Sequence, residues 1–166
     1  IMFSNSGFNN FPREFEAQSK IDDSGRYRRD LIAEYNTEIC PSTPGGMAVI
    51  EQMHRAFFEA FKGSPIKYFF AWAYDEGGCL CEKCYPWVSN GFLKICELDR
   101  KLIKEYGYDA QLCISTWHFN LQMPDEWDIY YDLIESGQLD WAPYIMTAFQ
   151  SGRLPEVFQR RGVPKR

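Results

Sequence analysis

The densest chemistry in this sequence lies between residues 75 and 84. Asp75-Glu76-Gly77-Gly78 runs directly into Cys79-Leu80-Cys81-Glu82-Lys83-Cys84. A Cys-x-Cys-x-x-Cys run is hard to satisfy with disulfides, because a bridge across one intervening residue is strained. It does suit metal ligation. Cys40, in Glu38-Ile39-Cys40-Pro41-Ser42, ends an earlier apolar stretch. Neighbouring parallel strand ends lie about 4.8 Å apart, so Cys40 can reach the later loop. Four thiolates, Cys40, Cys79, Cys81 and Cys84, would then close a tetrahedral structural zinc site. Free thiols, or one disulfide with two spectators, are the plainer readings of the same residues. Cys96 sits on a helix face near Ile95 and Cys113 within a strand, and both read as small buried hydrophobes.

The acidic pair follows residues 66–74, Ile-Lys-Tyr-Phe-Phe-Ala-Trp-Ala-Tyr. Apolar neighbours lower the local dielectric and raise a carboxyl pKa, which favours a general acid. Strand alternation turns one of Asp75 and Glu76 toward a cleft and the other toward its wall. Gly77-Gly78 lets backbone approach closely. The ordinary alternative is a helix cap or an arginine partner. Other strand ends carry Ser4-Asn5, Trp117-His118-Phe119 and Phe149-Gln150. Aromatic faces with amide and imidazole edges suit a sugar ring, so Asn5, Trp117, His118 and Gln150 are candidate substrate contacts. Core burial for Trp117 and a hydrogen-bonded rim histidine for His118 are the bland counterparts. His54 falls inside a helical pattern and reads as structural or exposed.

These groups need a scaffold that brings strand ends together. Short apolar runs at residues 1–3, 30–38, 66–74, 110–117 and 141–149 predict strands. Helical periodicity covers 47–62, where Val49, Met53, Ala56, Phe57, Ala60 and Phe61 share a face, and also 92–106, 125–136 and 154–160. Ser42 or Thr43 can cap the first helix, and Gly107 and Gly137 stop the second and third. Strands alternating with helices predict a parallel sheet with right-handed crossovers. A five-stranded doubly wound domain fits this length. So does part of a (β/α)8 TIM barrel, about five to six β/α units, since a whole barrel takes about 250 residues. Both folds bind ligands at the C-terminal ends of the strands.

The chain has 166 residues, 45% hydrophobic and 17% aromatic, with a formal charge of −5. That is a folded domain with one core. Dispersed Lys and Arg argue against a nucleic-acid partner. No apolar run approaches the roughly 18 residues of a membrane span. An opening Ile1 with no charged leader, and an end at Gly162-Val163-Pro164-Lys165-Arg166, suggest a single-domain piece, residues 1–166, of a larger polypeptide. The compartment is not legible.

Cys40-Pro41-Ser42-Thr43-Pro44 followed by Asp75-Glu76-Gly77-Gly78-Cys79-Leu80-Cys81-Glu82-Lys83-Cys84 resembles glycoside hydrolase family 42 β-galactosidases. Those carry Cys-Pro-x-x-Pro, then an Asn-Glu pair, then Cys-x-Cys-x-x-Cys, with the four cysteines on zinc. Asp75 departs from their Asn. The Asp-Glu pair is similar instead to family 20 hexosaminidases and to bacterial barrel glycosidases of α-glucuronidase-like architecture. The stretches 114–119 and 141–146 look like the latter. The resemblance spans most of the chain from Cys40 onward. It implies a (β/α)8 catalytic barrel, completed by the rest of the polypeptide, acting on an oligosaccharide or glycoside. Glu76 would be the acid/base, and Asp75 would tune it or hold a substrate acetamido group. Retaining hydrolysis would use a second carboxylate or that acetamide as nucleophile. The rival reading is a non-catalytic carbohydrate-binding or assembly module on the same scaffold. A cofactor-binding doubly wound domain is opposed by the lack of a G-x-G-x-x-G or P-loop.

Overall fold

A computed structural model describes residues 2–3, 12–17, 39–72, 78–116, 126–146 and 156–163. Pro44 at the first helical position and the Thr43 side chain, accepting from Gly46 N at 3.0 Å, start helix α1 (Pro44–Ala60). Proline loses nothing there, because that N–H has no helical partner. A wide π-type turn over Val88–Phe92 runs into α2 (Leu93–Glu105), and α3 is Glu126–Glu135 and α4 Glu156–Arg161. Gly107 (φ 73°) ends α2 as expected, since left-handed backbone suits glycine. No helix among the described residues is long and apolar enough to cross a membrane.

The strands are β1 (Met2–Phe3), β2 (Tyr68–Ala71), β3 (Gln111–Ser115) and β4 (Tyr144–Met146). All pair in parallel, in the order β1-β2-β3-β4. The register aligns Phe3 with Ala71, Ala71 with Ile114, and Ile114 with Ile145. Four of the five expected strands therefore exist, each shorter than its apolar run. The fifth, at 30–38, lies outside the described residues. Next to it, Ile39 makes an isolated antiparallel bridge with Glu16.

The expected (β/α)8 barrel is not what forms. The sheet is small and open, with β1 and β4 at opposite edges. Closure needs a ring of tilted strands whose inward side chains fill the middle in layers. Here Phe69, Ala71, Leu112 and Ile114 join the core on one face. On the other, Tyr68 and Tyr144 stay 46% and 45% exposed, their rings edge to face at 5.5 Å. Expected burial of the 66–74 strand on both faces therefore holds only in part. The doubly wound alternative fares no better, because the described strand order never reverses. The observed architecture is a small open α/β layer.

The core lies between the sheet and the helices. Phe58 of α1 meets Phe69 at 4.9 Å and stacks on Tyr106 at 5.7 Å. The buried stripe of α1 is Gly46, Ile50, His54 and Phe58, at i, i+4 spacing. The expected apolar face is thus rotated by one residue: Val49, Met53 and Phe57 flank the core, and Phe61 is 38% exposed. The reason is polar. His54 Nδ1 and Asp99 Oδ1 of α2 meet at 2.6 Å with both side chains buried. Each supplies what the other loses by leaving water, so two polar residues occupy core positions. Burial pushes the Asp99 carboxyl up, and His54 offsets part of that. His54→Ala, which strands a buried carboxyl between α1 and α2, should cost about 3 kcal/mol or more in urea unfolding. His54→Gln, keeping a donor, should recover part of the loss.

Candidate metal centre

Two chain segments converge on one cluster of sulfur atoms. The first enters α1. Cys40 N donates to Phe15 O at 2.7 Å, and the Cys40 carbonyl accepts from Thr43 N at 3.4 Å and Thr43 Oγ1 at 3.2 Å. A Cβ at Gly46 would lie 2.2 Å from that carbonyl, so only glycine lets the helix close over it. The second segment follows β2. Cys81 O accepts from Cys84 N at 2.9 Å and from Tyr85 N at 3.0 Å, a tight turn that points both thiols the same way. Ser42 joins the segments: its Oγ lies 3.0 Å from Cys84 Sγ and 3.2 Å from Lys94 Nζ.

Cys40, Cys79, Cys81 and Cys84 place their Sγ atoms all within 4.8 Å of one another. Cys40 Sγ is 3.7 Å from Cys84 Sγ and 3.8 Å from Cys81 Sγ. Metal–sulfur bonds of about 2.3 Å in a tetrahedron give sulfur–sulfur edges of about 3.8 Å. A disulfide would need about 2.05 Å, and all six cysteines are free. The spacing is that of a ligand set, and the four cysteines could bind a metal ion. The expected quartet is thus brought together as read from the sequence, and Cys96 and Cys113 are buried elsewhere, also as read.

The sulfurs of the cluster act on one another electrostatically. Thiols of Cys79 and Cys84 hydrogen-bond to Cys40 and hold its pKa down to about 2. The bond to Cys40 drives Cys79 far up and Cys84 to about 12, and burial adds to both. The proton on each of these sulfurs is thus tied to its neighbours'. A divalent ion replaces those protons and offsets the charge of the remaining thiolates.

The turn behind the cluster is held from a distance. The Trp87 ring lies flat between two glycines: a Cβ at Gly78 would sit 2.1 Å from it, and one at Gly91 2.0 Å. Gly78, at φ 88°, immediately precedes Cys79. Trp87 N and Val88 N both donate to the Glu126 carboxylate at 2.8 Å, although Glu126 belongs to α3 and is fully buried. Burial raises its pKa to about 7 despite those two donors. Sequence reading missed Glu126, Trp87 and Lys94, and took Ser42 only as a helix cap. Glu126 gave the signal of an ordinary first-turn acid, and only its burial marks it. Beside the cluster opens a cavity of about 750 Å³, lined by Cys40 and Cys81 with Ser42, Pro44, Lys83 and Tyr85 among others.

The expected chemical and substrate residues, Asn5, Asp75, Glu76, Trp117, His118 and Gln150, lie outside the described residues. The strands they follow in the chain all end along one edge of the sheet, because every pairing is parallel. Comparisons with models of known protein families, with curated proteins and with solved structures give no match.

Glu126 makes stability depend on pH in a definite direction. Its folded pKa of about 7 stands above the usual 4.5. Between those values the folded chain binds more protons than the unfolded one, so this group's contribution is full below about pH 4.5 and is lost as pH rises to about 7. Denaturation across that window should show the decline in wild type, and Glu126→Gln should flatten it.

Proposed function

We propose that this chain is part of a glycoside hydrolase in which Glu76 is the general acid/base and zinc on Cys40, Cys79, Cys81 and Cys84 braces the turn that follows it. One observation carries the reading: Cys79, Cys81 and Cys84, which gather with Cys40 into one four-sulfur cluster, begin three residues after Glu76 in the segment of chain that follows β2. The reading needs no closed ring of strands. A carboxyl group beyond an apolar strand suits proton donation to a leaving oxygen. Asp75 tunes that carboxyl or holds the substrate, and Trp117, His118, Asn5 and Gln150 line the sugar site. Retention of configuration would use a second carboxylate about 5–5.5 Å from Glu76 or a substrate acetamide. Zinc is the ion best supported, because four soft thiolates at tetrahedral spacing favour it and it leaves no open position for chemistry. Its role is to fix backbone.

Elemental analysis of the purified protein should find about one zinc per chain. Stripping it with a chelator should lower the melting temperature by about 10 °C. Absence of metal, with the four thiols free to react, would overturn this part. Glu76→Gln, in the longest native polypeptide that carries the chain, should reduce hydrolysis of ordinary glycosides by about a hundredfold or more while zinc content holds. Activity within a few-fold of wild type sinks the catalytic assignment, and sugar binding without turnover in wild type selects the non-catalytic module.

A further inference from the structure

The four cysteines are not equivalent. Cys40, Cys79 and Cys84 are buried, whereas Cys81 is partly exposed. Cys81 also lines the cavity of about 750 Å³ together with Cys40, whose sulfur lies 3.8 Å from its own. Solvent therefore reaches the cluster from one side, and it meets Cys81 first. Cys96 and Cys113 are buried and line no part of this cavity.

We propose that Cys81 is a peroxide-reactive modification site whose oxidation links it to Cys40 and discharges the metal, an inference that rests on the metal reading above. The Cys81 thiolate attacks one peroxide oxygen, an S–O bond forms, the O–O bond breaks, and hydroxide leaves and is protonated to water. The Cys40 thiolate then attacks the Cys81 sulfur, an S–S bond forms, and the second hydroxide leaves as water. Two thiolates, one hydrogen peroxide and two protons become one disulfide and two waters. Sulfur supplies both electrons and the metal keeps its oxidation state. Closing the gap from 3.8 Å to a disulfide moves the two sulfurs together by about 1.8 Å. Cys84 is as near to Cys40, at 3.7 Å, but it is buried and cannot take the first step. Cys79 and Cys84 alone are too few ligands to retain the ion. The entry to α1 stays tied to the loop by a covalent bond in place of the metal, so the site is reset by a thiol reductant and fresh metal.

The test treats the intact purified protein with about one equivalent of hydrogen peroxide per chain, traps remaining thiols with N-ethylmaleimide, maps the peptides and measures released metal with a chromogenic chelator. The expected result is a Cys40–Cys81 bridge formed first, metal release in step with it, and reversal of both by dithiothreitol with added zinc. Cys81→Ser should slow peroxide-driven disulfide formation in the cluster about tenfold. A first bridge between Cys40 and Cys84, first modification of Cys96 or Cys113, or a bridge formed with the metal retained overturns the inference and leaves the metal reading intact. Protein that carries no metal as purified yet forms the Cys40–Cys81 bridge overturns the metal reading and leaves Cys81 as the modification site.

Discussion

Everything around the candidate metal centre depends on gathering four sulfur atoms, three of them buried, into one place. The chain fixes the geometry through its backbone. Cys40 is pinned by its own backbone, through Phe15 on one side and the first turn of α1 on the other. Cys81 and Cys84 are fixed by a turn closed on the Cys81 carbonyl. What such a frame leaves to a cation is charge compensation, the part that protein dipoles supply poorly in a dry site. Preorganisation of this kind makes a binding site of segments that are about forty residues apart in sequence.

Three different devices keep buried charge tolerable in the same layer of the molecule. In the sulfur cluster, the Cys40 thiol lies within hydrogen-bonding distance of Cys81 and Cys84. His54 and Asp99 pair directly between α1 and α2. Among the described residues, Glu126 is held by two peptide N–H groups. By contrast, Arg55 with Glu51 and Glu105, and Arg161 with Asp132 and Glu135, form pairs that water reaches. Such pairs contribute little each. The burial, more than the number of charges, decides which of these contacts the fold depends on.

The sequence was legible where a local rule applies. The Cys-x-Cys-x-x-Cys run with Cys40, the Thr43 cap, the glycine stops and the alternation of strands with helices were all visible in residue types and spacing. Sheet closure was not, because strands and crossovers have the same periodicity in an open layer as in a closed ring. His54 was readable as structural or exposed, but its burial against Asp99 was not, because apolar periodicity is blind to two polar residues that cancel each other. Glu126 looked like any acid at a helix start, since its partners, Trp87 and Val88, are about forty positions away. The expected substrate contacts Trp117, His118, Asn5 and Gln150, and the expected catalytic pair Asp75-Glu76, rest on residue type and resemblance alone.

The wide turn at Val88–Phe92 has a geometric consequence of its own. A π turn accommodates one extra residue within a helix, and each residue of an α-helix advances the azimuth by about 100°. The extra residue sets the phase between what precedes α2 and α2 itself. It lets the indole of Trp87 lie over Gly78 while Leu93, Ile95 and Cys96 still turn toward the core. Deleting one residue there would regularise the hydrogen-bond ladder yet swing the indole about a quarter-turn off its glycine seat. The local irregularity works as a gear, keeping the thiol loop and the helical layer in step.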